Sequence, residues 1–181
     1  VAALTTDQVT GLSTRTVQAL STEAITALTT GQIEVINTAG LAALTTSQVK
    51  ALSTDAVIAL STYQVANLTT GTMAALSTAQ VAAIETTDIQ ALSTKQLAGL
   101  ATGTVSALTT DQVIALTTYQ VGNLSTATLK ALSSDQIAAI ETTAIQGLTT
   151  GQLAGLATST VSALTTDQVV ALTTYQIGNL S

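Results

Sequence analysis

The strictest constraint in this sequence is a unit of eight residues, repeated in one register from Val1 to Ser181 without insertion. Counted from Val1, position one is Val, Ile, Leu or Met at all 23 occurrences, and position four is Leu or Ile at all 23. The two apolar positions are thus spaced three apart, then five. A strand keeps one face at a spacing of two, so odd spacings throw these side chains to opposite faces. On a helix, residues i and i+3 share a face. An unbroken helix fails as well. Eight residues at ~100° each overshoot two turns by ~80°, so the apolar stripe would wind around the rod. The pattern asks for a helix that breaks once per octad.

The break carries its own signature. Position five is Ser, Thr or Asn in 19 of 23 octads, and position eight, three residues on, is Gln in 12 of 22. That is a capping box: the hydroxyl accepts the N3 amide and the Gln side chain reaches back to the cap. The apolar residues at position four and at position one of the next octad staple the corner, as Leu4 and Val9 would around Thr5. Acids stand at N2 in Asp7, Glu23, Asp55, Asp111, Asp135 and Asp167, where the helix dipole favours them. Each octad reads as a capped helix of six or seven residues.

Helices this short do not stand alone in water. Stability has to come from stacking, which is the logic of a solenoid. Position three is Ala, Gly or Asn in every octad except at Val35, so successive layers can approach closely. With a corner in every octad, three or four helices would close one superhelical turn. Val and Leu would then point inward and the polar positions outward. The predicted fold is an all-α solenoid of about 22 one-helix octads. The alternative is a β-solenoid, since Thr and Val suit strands and corners could rescue the parity.

A longer period overlies the octad. Thr62-Tyr63-Gln64-Val65-Ala66-Asn67-Leu68 recurs seven octads on at 118–124, and seven octads further at 174–180, with Gly for Ala in both and Ile for Val in the last. The array 1–181 thus divides into super-repeats 13–68, 69–124 and 125–180, and the last two agree at 42 of 56 positions. Seven octads would suit two turns of 3.5 octads each.

Four Lys+Arg against ten Asp+Glu give a net charge of −6, and only 8% of residues are charged. Nucleic acid is a poor partner for such a surface, because its phosphates need clustered Lys and Arg. No polybasic membrane anchor exists, and no apolar run approaches the ~18 residues of a spanning helix. The chain has no Cys, His or Pro, so disulfides and thiolate chemistry are absent. Val1 falls inside an octad, so the chain reads as a piece of a longer array.

Few residues suggest chemistry. Tyr63, Tyr119 and Tyr175 are the only aromatics, each on the helix face shared with an Asn at the next position three: Asn67, Asn123 and Asn179. Such rows could touch a glycan or a protein. The plainer reading has Tyr packing over its helix and Asn closing the corner. Glu85 and Glu141 replace the cap residue at matching places, but with no fixed second acid and no His they read as solvated charges rather than an acid–base pair. Nothing resembles an Asp/Gly-rich calcium loop, so no metal or cofactor is expected, nor an enzyme. Thr at position six, 21 of 22 octads, exceeds what capping requires; regular Thr ranks also suggest ice binding.

Leu164-Thr165-Thr166-Asp167-Gln168-Val169-Val170-Ala171-Leu172 resembles the helix opening of TAL-effector repeats, Leu-Thr-Pro-x-Gln-Val-Val-Ala-Ile. The resemblance covers one octad, lacks the base-reading loop, and implies capped-helix geometry without DNA binding. The whole chain resembles the Thr/Ala-rich tandem repeats of very large secreted bacterial surface proteins of the adhesin kind. That resemblance implies a spacer or stalk at the bacterial cell surface, whose partners are the neighbouring domains of a longer chain.

Overall fold

In the computed structural model, residues 3–100, 102–156 and 158–180 are described, with side chains at all of these but Ser159. They form 22 α-helices and no strand, from Thr6–Thr10 to Thr174–Ile177, none shorter than four residues or longer than six. The all-α solenoid is the fold, and the β-solenoid is set aside. Seven helices reach the lower end of the expected six or seven residues, and the others have four or five. The reason lies at the corner.

Each helix starts at position six and ends at position one, two or three. The amide of the position-four residue then donates to the position-one carbonyl, as Leu52 does to Val49 (3.2 Å) and Leu12 to Val9 (3.0 Å). This i→i−3 bond tightens the last turn and ends the α-pattern. Two extended residues follow, for example Leu52 at φ −62°, ψ 133° and Ser53 at φ −70°, ψ 162°. Ser53 is already the next N-cap, and its hydroxyl accepts from the Ala56 amide at 3.1 Å. No described residue has positive φ, so the corner needs neither Gly nor Pro. The capping at position five is general: in the fully boxed corners, such as Thr109 with Gln112, both halves form. Ala101 and Ala157, which lack a capping side chain, lie outside the described residues.

Each helix packs on the helix three places along, as Thr30–Val35 does on Thr6–Thr10 and Thr94–Gly99 on Thr70–Ala75. The interior is one continuous aliphatic column. Val9, Ile33, Val49, Met73, Ile89, Val121 and Ile145 from position one are fully buried, and position four lines the same column. Burying each such side chain contributes roughly 1.5–3 kcal/mol. No octad could collect that alone, because its inward face is covered only by the turns above and below.

Candidate functional surface

Position eight is where the structure departs most from the sequence-based picture. Polar position eight does not face outward. Gln32, Gln48, Gln64, Gln80, Gln96, Gln112, Gln120, Gln136, Gln152, Gln168 and Gln176 are all buried. The box explains half of each side chain. In Gln80, Oε1 accepts from the Ser77 amide at 2.8 Å, and Nε2 donates to the carbonyls of Val49 (2.7 Å) and Leu52 (2.8 Å). Gln112 does the same with the Thr109 amide (2.8 Å), Val81 (2.9 Å) and Ile84 (2.6 Å).

One amide group therefore caps the start of its own helix and the end of a helix one turn below. These straps span 31 and 28 residues. The longer reach runs to position one and the shorter to position four. Hydrogen bonds between successive turns span 25 to 31 residues and centre on 28, or 3.5 octads, so seven octads make about two turns. Where position eight lacks Gln a short residue is buried in most octads, as at Ala56, Thr72, Asp88 and Ala144, while Thr16 is exposed and Ala24 and Thr104 are half-buried. Gln8, in the first turn, closes its capping box and is exposed. Among the described residues no buried side-chain nitrogen or oxygen lacks a partner. The interior is thus apolar along positions one and four and fully hydrogen-bonded along position eight, as burial of amides requires.

The small residues at position three sit at the crossings. A Cβ on Gly147 would fall 2.5 Å from the carbonyl oxygen of Thr118 and 2.9 Å from its methyl carbon. A Cβ on Gly155 would fall 2.6 Å from the methyl carbon of Thr126. Thr118 and Thr126 are position-six residues, each just over one turn earlier in the chain. Thr70, Thr118 and Thr126, all at position six, thus stand at the seam between turns, each beneath a Gly of the next. In addition, the Thr118 hydroxyl donates to the Thr143 carbonyl at 3.3 Å.

The Tyr and Asn residues separate in role. Asn67, Asn123 and Asn179 each donate from Nδ2 to the carbonyl of their own Tyr63, Tyr119 and Tyr175 at 2.8 Å, and so finish the helix. The expectation that Asn closes the corner holds. The Tyr rings do not pack over their helices: they are 71%, 72% and 74% exposed. Being seven octads apart, they stand two turns apart along one side of the superhelix. Glu85 and Glu141 are N-cap residues whose carboxylates do not make the capping bond. Sequence reasoning missed a groove above Ile114, of about 360 Å³, bordered by Ile140, Glu141, Thr142 and Asp167. Only a knowledge of the superhelical pitch could have brought those residues together.

Among the described residues no group of three or more His, Cys, Asp or Glu could hold a metal ion, and no helix is long and apolar enough to cross a membrane. The geometry defines a helical repeat protein whose turns are fastened to one another through side-chain-to-backbone hydrogen bonds. The family model of the ALTTAQ repeat matches residues 1–38, 33–70, 81–118, 119–150 and 145–181, and the chain belongs to the ALTTAQ repeat family. The six letters correspond to positions three to eight, seen here as Ala107-Leu108-Thr109-Thr110-Asp111-Gln112. No curated protein matches the chain.

Proposed function

We propose that the chain is a structural spacer, a segment of rod that holds other parts of a long bacterial surface protein apart. The observation that carries this reading is the strap. Each Gln strap ties its turn to the one below through backbone carbonyls, which any further octad offers equally, so length can be added without a new design. Helices stacked at ~8–10 Å per layer would give ~16–20 Å for each seven-octad block of two turns. The proposed surface location rests on the likeness to adhesin repeats and on the lack of Cys, which frees the array from oxidative folding. The reading assigns the chain no catalytic role and no cofactor.

Small-angle scattering on arrays lengthened by one and two seven-octad blocks tests the spacer. The maximum dimension should rise by ~16–20 Å per block. A dimension that does not scale with block number would overturn the reading. Protease accessibility on intact cells tests the location. A second reading, a glycan or protein contact through Tyr63, Tyr119 and Tyr175, is favoured by their exposure. The triple Tyr→Ala variant should then fold normally and lose adhesion; unchanged adhesion would reject it.

A further inference from the structure

The groove above Ile114 belongs to a longer strip. It is lined by Ile114, 44% exposed at the end of helix Thr110–Ile114. One turn on, Glu141 and Thr142 border it, and one turn further Asp167 does. Every bordering residue has an identical counterpart seven octads earlier, including Ile58, Ile84, Glu85, Thr86 and Asp111. Ile58 is 47% exposed, and Val170, in the last turn, is the next member of the row. The strip thus presents an uncovered aliphatic side chain every two turns.

Charge follows the same side. Asp55, Asp111 and Asp167 recur every two turns, and Glu85 and Glu141 fall in the turns between them. Together they place one exposed carboxylate on each turn. Counted in phases of the 28-residue turn, the ten acids fall at 23–28 and 1–7, and the four bases at 11–22. Asp88 is buried; the nine exposed acids and the four bases therefore occupy separate arcs of the superhelix, although the linear sequence mixes them. The aliphatic row lies at phase 2, amid the acids, and the Tyr row borders it at phase 7. Twice along this strip the repeat abandons its capping hydroxyl for a Glu whose carboxylate does not cap.

We propose that this strip docks an extended basic polypeptide segment whose Lys or Arg side chains alternate with apolar ones. The apolar side chains would lie on Ile58, Ile114 and Val170, and the cations would meet one carboxylate per turn. Charge complementarity selects this occupant. A second copy of this chain fits less well: its bases, Arg15, Lys50, Lys95 and Lys130, each stand at a different phase and do not line up as one cation per turn. This docking does not depend on the spacer role.

The experiment uses the whole chain and a labelled twenty-residue peptide of repeating Lys-Leu-Lys-Thr, followed by fluorescence anisotropy at low and physiological salt. Saturable binding that weakens with salt is expected. Glu85→Gln, Asp111→Asn and Glu141→Gln together should weaken it about tenfold or more. Ile58→Ser with Ile114→Ser should weaken it comparably, as should a peptide with Ser in place of Leu. Glu23→Gln with Asp135→Asn, which removes two acids at phase 23, should change it less than about twofold. Circular dichroism would verify that each variant is folded. The proposal is overturned if the wild-type chain does not bind, if the phase-23 pair weakens binding as much as the strip triple, or if sedimentation shows self-association that the peptide cannot displace.

Discussion

Helix Thr62–Ala66 packs on Thr86–Ala91, and seven octads later helix Thr118–Gly122 packs on Thr142–Ile145. These are the same crossing in consecutive super-repeats, built differently. The first has Ala66 and Ala91 where the second has Gly122 and Gly147. In the second, a Cβ on Gly122 would lie 2.5 Å from the Gly147 carbonyl oxygen, so the two backbones occupy the space a methyl group would fill. The upper helix there is also shorter, four residues against six. Yet the straps above both crossings survive. Gln120 donates to Ile89 (2.8 Å) and Leu92 (2.8 Å), and Gln176 donates to Gln146 (3.2 Å) and Leu148 (2.7 Å). The pair teaches that the fold conserves the positions of corner carbonyls, while helix length and backbone separation adjust around them.

The sharpest test of that conclusion removes the straps. Gln120→Ala and Gln176→Ala should each destabilise their region by about 2–4 kcal/mol, since buried carbonyls and a capping amide lose partners. Denaturation by urea and hydrogen exchange at Thr117 and Thr173 would measure it. A much smaller loss at the Gly-type crossing would break the equivalence. Next, Gly147→Ala should cost about 1–3 kcal/mol, because its Cβ meets the Thr118 backbone. The reverse exchange at the other crossing, Ala91→Gly, should cost only about 0.5–1 kcal/mol through helix propensity. Equal losses would mean that the two crossings are the same in solution.

Smaller effects run the other way. Glu85→Ser and Glu141→Ser restore the missing cap and should each stabilise the chain by about 1 kcal/mol, read as a higher urea midpoint. Docking on the strip requires that the same variants bind the basic peptide more weakly. The smallest effect is at Glu23. Its own backbone amide, with help from the Ser21 hydroxyl, holds its carboxyl below the ordinary glutamate value. A lowered folded-state pKa adds stability above the unfolded value, and that stability disappears as the pH falls through the folded one. The group is fully exposed, so the contribution is small; an NMR titration should show the lowered midpoint, and Ser21→Ala should raise it.

Much of this was legible in the sequence because the octad is strict. The spacing of Val9 and Leu12, the Thr5–Gln8 box and the small position three together specify short capped helices that stack. Burial of position eight was not legible. The capping box that Gln80 makes with Ser77 is complete without any partner from another turn, and the carbonyls of Val49 and Leu52 that its Nε2 meets lie a turn away in the chain. Thr at position six was opaque for the same reason, since its neighbour is Gly147 or Gly155 in another layer. The Tyr rows were found, but their separation from Asn was hidden until Nδ2 of Asn67 was seen to bond the Tyr63 carbonyl. Charge sorting was invisible because it appears only when residues one turn apart are set side by side.

The half-integral number of octads per turn also governs how such an array can grow. Adding one octad turns everything beyond it by two sevenths of a revolution, about 103°, and so scatters whatever the outer face displays. Adding seven octads returns the chain to its starting direction. Duplication in seven-octad blocks therefore behaves like a gear advanced by a whole number of revolutions: the rod lengthens, and each new Tyr, Ile and Glu comes to rest in line with the old.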